Sequence, residues 1–361
     1  MLRCFAVLLT GFLFCSQCFA TVGFRQLTLN SSGSRPLEVA IWYPTQQTGV
    51  NETIGENAAF EGSTVLRNAV PVPGAHPLLL LSHGYGGSWR NLAWLAEEMV
   101  SQGYIVVAPN HPGTTSQNTD SNQARQLWLR PEDLRLAMRE IIKDPTIAGK
   151  ADSERIAAAG HSLGGWTVME LAGARFDTRK FSADCAKHIE YSSCRVAAKL
   201  GIGNNASHAP LSVDRSEKRI KAVILLDTGL ARGFTSQSLA TIERPVFILA
   251  AGADSPELPA EAESGYLARA LPPQWMRYSR VDGATHFSFM QVCKPQGEKL
   301  IEESAPGEGI ICHDGGKMSR KELHRLLAEK ISEFLNAALH YQPQPGEKPQ
   351  VPFRSDAETH G

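Results

Sequence analysis

The chain has 361 residues, of which 42% are hydrophobic and 20% charged, and this composition is typical of a soluble globular protein with a sizeable core. The formal net charge is −1, and the sequence has no basic run, which argues against nucleic acid as a partner. The length allows one large α/β domain or two smaller ones.

The first twenty residues have the pattern of a secretory signal peptide. Arg3 supplies the positive charge, residues 5–14 form a short apolar run, and Ala20 is a small residue suited to cleavage. The run is too short to span a bilayer comfortably, so we expect no stable membrane span after cleavage. The segment 1–20 therefore predicts export, with the protein periplasmic or secreted.

Four cysteines follow this segment: Cys185, Cys194, Cys293 and Cys312. An even number in an exported chain predicts two disulfides, for which three pairings are possible. The short local loops favour Cys185–Cys194 and Cys293–Cys312. We expect no metal site, because no C-x-x-C or H-x-x-x-H pair accompanies these cysteines.

Apolar runs and amphipathic segments alternate along the chain. Eight runs predict strands: residues 24–29, 37–43, 77–82, 104–108, 156–159, 220–226, 245–251 and 275–281. Four segments predict helices: residues 92–101, residues 130–142, the stretch after 163, and residues 321–340. The first two strands predict an antiparallel hairpin, and the polar residues 45–75 predict a surface excursion with a weak helical patch at 58–65. The alternation predicts a parallel sheet covered by helices on both faces.

A strand–turn–helix pattern surrounds Ser162. The sequence RIAAAGHSLGGWTVM at 155–169 contains the G-x-S-x-G pattern of a nucleophile elbow. Gly160 and Gly164 lack the β-carbons that would crowd so sharp a turn, and the following helix directs N–H groups at the site. We therefore expect Ser162 as a nucleophile and the Leu163 amide as an oxyanion donor. The alternative is a tight turn with an idle serine.

The glycine-rich loop His83-Gly84-Tyr85-Gly86-Gly87 follows the predicted strand at 77–82. If the elbow is correct, a loop at this position supplies the second oxyanion amide, which here is the N–H of Tyr85. The glycines would let the backbone approach a substrate oxygen closely. The alternative is a flexible connection.

The remaining irregular segments suggest how the chain is divided. Residues 174–219 lie between the elbow helix and the next strand, and we expect a cap insertion over the site there. Residues 341–361 are Pro-rich and polar, which predicts a disordered tail. We therefore expect one catalytic domain at 21–340 and no second domain.

A serine hydroxyl needs a base and a carboxylate, in the chain order serine, acid, histidine. Of eleven histidines, His286 fits best as the base, because it follows the last predicted strand in a loop opened by Gly283. His161 lies within the elbow and is expected to point into the scaffold. His111 is favoured as a turn residue over one that lines the cleft.

Two aspartates compete as the acid. Asp254 follows the seventh predicted strand and Asp227 the sixth, at carboxyl ends where α/β sites form. We favour Asp254, because it enters a loop that Pro256 and Pro259 would hold still, and because its connection neighbours that of His286. Asp227 is the alternative acid, and the aspartate that is not the acid would be a helix N-cap or an accessory acceptor.

The motifs GHSLGGW, HGYGG, GADSP and VDGATHF together resemble those of bacterial cutinases and polyester hydrolases of the α/β-hydrolase superfamily. The segments FRQLTLNSSGSRPLEVAIWYP, RPEDLRLAMREI and CHDGGKMSRKELHRLLAEKISEFL resemble the "predicted dienelactone hydrolase" group, which is related to the platelet-activating-factor acetylhydrolases. The resemblance covers residues 24–339 apart from the expected cap. It implies an α/β-hydrolase fold, with a mostly parallel eight-stranded sheet and helices on both faces.

The resemblance also implies roles for matching residues. The cutinase-like segments imply Asp254 as the acid, and the acetylhydrolase-like segments imply Asp227. Dienelactone hydrolases themselves have cysteine at the elbow, where this chain has Ser162. For the other roles the resemblance implies Ser162 as the nucleophile, His286 as the base, and the amides of Tyr85 and Leu163 as the oxyanion hole.

These residues predict an exported serine hydrolase that cleaves carboxylic esters through an acyl-enzyme, without a metal or an organic cofactor. The expected substrate is a small-molecule or lipid ester. Alternatives are an acyltransferase or a lipid or phospholipid acetylhydrolase acting at the same site. A catalytically idle binding protein on the same scaffold is a further alternative.

Overall fold

The structure, a computed structural model, describes residues 21–30, 32–203, 208–253, 255 and 258–340. Within those residues the strands are β1 (Thr21–Leu29), β2 (Leu37–Thr45), β3 (Glu52–Ile54), β4 (Ser63–Arg67), β5 (Ala75–Ser82), β6 (Ile105–Pro109), β7 (Lys150–His161), β8 (Ile220–Leu226), β9 (Val246–Ala251) and β10 (Met276–Val281). The helices are α1 (Ala93–Ser101), α2 (Ser121–Ala124), α3 (Leu129–Lys143), α4 (Leu163–Ala172), α5 (Thr178–Cys185), α6 (Ser192–Lys199), α7 (His208–Leu211), α8 (Ser236–Leu239), α9 (Ser264–Ala270), α10 (Gly297–Ser304) and α11 (Arg320–His340). Short 3-10 helices lie at Trp89–Leu92, Ala231–Gly233, Pro273–Trp275, His286–Phe289 and Glu308–Cys312.

The described strands form one sheet in the order β10-β9-β8-β7-β5-β6-β2-β1-β4-β3. The neighbouring strands from β10 to β6 run parallel, and β2 pairs antiparallel with both β6 and β1. The central register places Leu79 of β5 beside Val106 of β6 and Ala157 of β7. The carboxyl ends of the parallel strands therefore meet at one edge of the sheet, where sites of α/β proteins form.

The eight predicted strands are all present, and the described sheet has two more than expected. The additional strands, β3 and β4, lie within residues 45–75, where we expected a surface excursion. They extend the edge beside the hairpin, because β4 pairs parallel with β1 and antiparallel with β3. The helical patch expected at 58–65 is wrong, since Ser63–Arg67 is extended, with Val65 and Leu66 buried. Strands this short give too few residues for a period-two pattern to be recognised.

Both faces of the sheet are covered, as the unbroken apolar runs predicted. Leu78 and Leu80 of β5 belong to the core under α3 and α4, and Leu79 and Leu81 belong to the core under α1 and α11. All four leucine side chains are fully buried. Consecutive residues of a central parallel strand thus face opposite apolar layers, which explains why the strand sequences are continuous rather than alternating.

Each of two disulfides joins cysteines that lie close in the sequence, 9 and 19 residues apart. Both predicted pairings, Cys185–Cys194 and Cys293–Cys312, are confirmed. The first connects the end of α5 to α6. Both helices, together with α7, lie in the stretch 174–219 that we expected to form a cap.

The predicted signal peptide at 1–20 and the predicted tail at 341–361 lie outside the described residues. Among the residues that are described, no helix combines the length and the apolar character needed to cross a membrane.

Candidate active site

Ser162 stands at the turn between β7 and α4. Its backbone has φ 54° and ψ −116°, and residues other than glycine rarely adopt a positive φ. A β-carbon on Gly160 would lie 2.1 Å from the carbonyl oxygen of Gly164, and one on Gly164 would lie 1.8 Å from the carbonyl oxygen of Ser82. Glycine is therefore required at both positions. The turn has the strained strand-to-helix form that the G-x-S-x-G pattern predicts.

Ser162 lines a cleft of about 460 Å³. The walls come from the loop after β5, from α6, and from the loops that follow β8 and β10. Much of the lining is apolar and consists of Tyr85, Val196, Leu230, Phe287, Met290 and Ile311. A mainly apolar cleft of this size can take a small organic ligand. In the residues that the structure describes, no group of three or more His, Cys, Asp or Glu side chains is placed to hold a metal ion.

His286 lines the same cleft and contacts Asp227. His286 Nδ1 lies 2.6 Å from Asp227 Oδ2, and both side chains are buried. The other carboxylate oxygen of Asp227, Oδ1, accepts a hydrogen bond of 2.9 Å from the N–H of Ala251 at the end of β9. The carboxylate is thus held through both oxygens. It favours the His286 tautomer with its proton on Nδ1, which leaves Nε2 as the basic nitrogen.

The carboxylate that contacts His286 is not the aspartate that we favoured from the sequence. Asp254 lies outside the described residues. Asp227, the alternative, is the carboxylate that His286 contacts. A neutral imidazole carries a single N–H, so Nδ1 donates to one carboxylate at a time. The identity of the acid stays a prediction, now with Asp227 as the first choice.

Two backbone N–H groups at the cleft have no acceptor within the described part of the chain: those of Tyr85 and Leu163. The neighbouring Gly86 N–H, by contrast, donates to a backbone carbonyl at 2.9 Å. Leu163 is the first residue of α4, where N–H groups lack partners within the helix. A β-carbon on Gly84 would lie 3.3 Å from Ser162 Cβ, so the loop that carries Tyr85 packs against the serine. N–H groups without an acceptor beside a serine are the kind of donor that an oxyanion hole uses.

Two further histidines hold the loop that carries His286. His161 Nε2 donates to the His286 carbonyl at 2.8 Å, and His324 Nε2 donates to the Ser288 carbonyl at 3.0 Å. Burial lowers the pKa of each imidazole to about 3, so both are neutral at physiological pH. His161 lies in the scaffold, as its place in the elbow suggested. The contact of His324 was missed, because the sequence shows only that it belongs to the closing helix.

Behind the loop after β5 lies a second group of polar side chains that sequence reasoning missed. We call it the buried polar cluster, and each of its members is at most 4% exposed: Ser82, His83, His111, Arg130 and Asp133. His111 Nε2 lies 2.9 Å from Ser82 Oγ, and His111 Nδ1 lies 2.9 Å from Asp133 Oδ2. His111, for which a turn position was favoured, is therefore an interior residue. The available signal was on α3, where Arg130 and Asp133 continue the apolar stripe of the helix.

Comparison with solved structures identifies the fold. The chain matches a ferulic acid esterase from Streptomyces cinnamoneus with a TM-score of 0.59, over 90% of this chain and 91% of that one, at 19% sequence identity. The chain has an α/β-hydrolase fold. At this level of identity the likeness concerns the fold alone.

Sequence comparisons relate this chain to several ester hydrolases. A family described as PET hydrolase-like (PETase) matches residues 39–212. Cutinase 2 of Thermobifida cellulosilytica is 36% identical over 120 residues, which are 32% of this chain and 42% of that protein. The bis(hydroxyethyl) terephthalate hydrolase of Streptomyces coelicolor is 28% identical over 116 residues, which are 32% of this chain and 34% of that protein. The predicted resemblance to cutinases and polyester hydrolases is therefore confirmed.

These matches cover only part of each relative and only some of the candidate site residues. The chain spans less than half the length of the curated relatives that it matches first. The family match at 39–212 includes Ser162 and the loop of Tyr85, and it ends before Asp227 and His286. A base and an acid for Ser162 therefore have to be argued from this chain's own geometry.

Proposed function

We propose that this α/β-hydrolase cleaves carboxylic esters through a serine acyl-enzyme. Ser162 is the nucleophile, His286 the general base and Asp227 the acid that orients the base. The observation that carries the proposal is the 2.6 Å contact between His286 Nδ1 and Asp227 Oδ2, made in the cleft that Ser162 lines. The named relatives, a cutinase and a terephthalate ester hydrolase, support the same reaction class.

The proposed reaction has two halves, each with a tetrahedral intermediate. His286 Nε2 takes the hydroxyl proton of Ser162 while Oγ attacks the ester carbonyl, and the N–H groups of Tyr85 and Leu163 donate to the resulting oxyanion. The protonated His286 then gives its proton to the leaving alcohol as the C–O bond breaks. In the second half His286 takes a proton from water, the hydroxide attacks the acyl carbonyl, and the proton returns to Ser162 as the acid departs. Asp227 stays ionised throughout and stabilises the imidazolium.

The cleft supports a small-molecule or lipid ester as the substrate. Tyr85, Phe287 and Met290 give apolar surface beside the serine, where an acyl or alkyl group would be removed from water. The contact of His286 with Asp227 agrees with the acid that the acetylhydrolase-like segments imply, so a short acyl group is a specific candidate.

The proposal includes export, to the periplasm or the medium. It is supported by the signal-peptide pattern at 1–20 and by two disulfides in the described part of the chain, since disulfides persist in oxidising compartments. Mass spectrometry of the protein recovered from cell fractions tests it. A mature N-terminus at residue 21 outside the cytoplasm is expected, and an uncleaved cytoplasmic protein would contradict export.

A panel of p-nitrophenyl esters with acyl chains of graded length tests the activity. We expect hydrolysis by the wild-type protein and none above background by Ser162→Ala. A maximum at acetate would favour the acetylhydrolase-like substrate class, and a maximum at longer chains would favour a lipid or polyester substrate. Formation of new esters in preference to acid when alcohols are added would identify an acyltransferase instead. Absence of hydrolysis across the whole panel, with bis(hydroxyethyl) terephthalate included, would contradict the proposal.

A further inference from the structure

One buried guanidinium contacts the backbone beside one proposed oxyanion donor and is connected to the other through a threonine hydroxyl. Arg130, on α3, is 1% exposed. Its Nη2 donates to the carbonyl of His83, two residues before Tyr85, and its Nε donates to Thr167 Oγ1 at 2.9 Å. The Thr167 hydroxyl in turn donates to the carbonyl of Leu163 at 3.0 Å. Arg130 therefore connects the loop of Tyr85 to the first turn of α4.

His83 controls the peptide group between Gly84 and Tyr85. Its Nε2 accepts the backbone N–H of His111 at 3.0 Å, so the proton of the neutral ring is on Nδ1, which donates to the Gly84 carbonyl at 2.7 Å. The N–H of Gly87 donates to the same carbonyl at 3.3 Å. In a planar trans peptide the N–H points away from the C=O. The bonds that hold the Gly84 oxygen therefore also determine the direction of the Tyr85 N–H.

The rest of the buried polar cluster supports these two side chains. Ser82 Oγ accepts a hydrogen bond of 3.2 Å from Arg130 Nη2, so its own proton is directed to His111 Nε2. His111 Nδ1 donates to the carboxylate of Asp133, and Arg35 donates to both oxygens of that carboxylate. The side chains of Ser82, His83 and His111 all have hydrogen-bond partners here, and a buried hydrogen-bond network of this kind makes a structure more rigid. The loop above the cluster is thereby held in one conformation.

We propose that Arg130 and His83 are positioning residues for ester hydrolysis, such that Arg130 sets the separation of the two oxyanion donors and His83 sets the direction of the Tyr85 N–H. The inference rests on the proposed function, because it concerns the oxyanion of the same acyl transfer. Donors of this kind are effective because they are aimed before charge develops on the oxygen. Loosening them should therefore lower kcat and leave KM nearly unchanged.

Arg130→Met tests the role of the guanidinium, because methionine keeps the apolar stem and removes every donor. Two quantities are measured: kcat for a p-nitrophenyl ester, and the rate at which a fluorophosphonate labels Ser162, since its phosphoryl oxygen uses the same N–H donors. We expect both to fall about 10- to 100-fold, less than the ~10²–10³-fold that loss of an entire donor costs. KM should change by less than about threefold.

Thr167→Val is the second variant, because Arg130→Met leaves Asp133 with fewer cationic neighbours and could fail to fold. Valine has nearly the shape of threonine and removes only the hydroxyl that connects Arg130 to α4. We expect the same two rates to fall by about three- to tenfold, with KM unchanged. This variant alone decides the question if Arg130→Met cannot be purified as a folded protein.

Arg244→Met is the matched control. The Arg244 guanidinium also donates to backbone carbonyls, but near the amino end of β8, away from the cleft: those of Leu171, Glu217 and Ile220. Its loss should lower the melting temperature and leave kcat and the labelling rate of the folded protein unchanged. A fall in rate that Arg244→Met shares would show that general destabilisation, and not positioning, is responsible.

The outcomes separate this inference from the proposed function. Wild-type protein whose Ser162 is not labelled and that hydrolyses no ester would contradict both. Labelled, active wild-type protein together with folded Arg130→Met and Thr167→Val variants that react at the wild-type rate would contradict the positioning role alone. Cooperative thermal melting establishes that each variant is folded.

Discussion

Among the residues that the structure describes, serine, histidine and aspartate side chains lie together at two places. In the cleft, Ser162 lies with His286, whose Nδ1 is 2.6 Å from Asp227. In the buried polar cluster, His111 connects Ser82 to an aspartate through two contacts of 2.9 Å. In the buried group hydrogen bonds join all three side chains, and in the cleft the short contact joins the histidine and the aspartate.

The surroundings distinguish the two groups. Ser82 is fully buried, and its hydroxyl accepts a hydrogen bond from Arg130, so no substrate can meet it. Ser162 stands on a strained turn at a cleft, beside two N–H groups that the described residues leave without an acceptor. Access and oxyanion donors, rather than the three side chains alone, therefore mark a site for acyl transfer.

The largest expected effect separates the two serines. Ser162→Ala should lower kcat for ester hydrolysis by on the order of 10⁴-fold or more, because it removes the attacking group. Ser82→Ala should leave kcat within about tenfold of wild type, because it deletes only one supporting hydroxyl. Steady-state kinetics on p-nitrophenyl esters measures both. Losses of similar size in the two variants would show that the cleft and the buried cluster do not differ as described.

The next effect separates the two candidate acids. Asp227→Asn should lower kcat by about 10⁴-fold, since the asparagine amide would hold His286 in the wrong tautomer, and expression should be unchanged. Asp254→Asn is the matched control and should cost far less. An inactive Asp254→Asn beside an active Asp227→Asn would mean that the 2.6 Å contact is not the catalytic one.

The cleft should also depend on the disulfides. Cys194 lies in α6, which lines the cleft, and the segment between Cys293 and Cys312 carries Glu308 and Ile311 of the lining. Opening each bridge should destabilise the protein by roughly 2–4 kcal/mol, so reducing agent should lower the melting temperature. Calorimetry with and without reductant measures the effect. Free thiols in the oxidised protein, or a melting temperature that reductant leaves unchanged, would contradict this.

The smallest effect concerns a carboxylate that belongs to neither group. Burial raises the pKa of Glu97, on α1, to about 7, although hydrogen bonds from Ser63 and from the Thr64 backbone act to lower this pKa. The folded pKa of Glu97 exceeds its ordinary value of 4.5. The contribution of Glu97 to the free energy of unfolding is therefore complete below pH 4.5 and is lost as the pH rises through 7.

Glu97→Gln should therefore remove a pH dependence of stability. Relative to this variant, the free energy of unfolding of the wild-type protein should fall as the pH rises from 4.5 to 7, by no more than ~3 kcal/mol. Denaturant unfolding at several pH values measures the difference. A difference between the two proteins that stays constant over this range would contradict the pKa shift.

The sheet and the elbow could be predicted because each leaves a local mark on the sequence. Central strands such as Ala75–Ser82 are buried on both faces and are therefore unbroken apolar runs. Gly160 and Gly164 mark the elbow, because carbonyl oxygens lie where their β-carbons would be. The edge strands β3 and β4 leave no such mark, since they are short and half exposed.

The acid and the buried polar cluster could not be predicted, because they depend on contacts between distant segments. Asp227 and Asp254 both follow a strand, and the course of the loop that carries His286 decides which of them it meets. Arg130 and its partner Ser82 are 48 residues apart in the sequence. A helix stripe indicates that Arg130 is interior, but it does not reveal which backbone carbonyl the guanidinium holds.

The most direct test of Ser162 as the nucleophile is covalent labelling. The wild-type protein is treated with a fluorophosphonate, digested and mapped by mass spectrometry, while the remaining esterase activity is followed in parallel. We predict one phosphonyl group on Ser162, none on Ser82, and a loss of activity in proportion to labelling. A phosphonyl group on a different serine, or an unlabelled Ser162 in protein that has lost its activity to the reagent, would contradict the assignment.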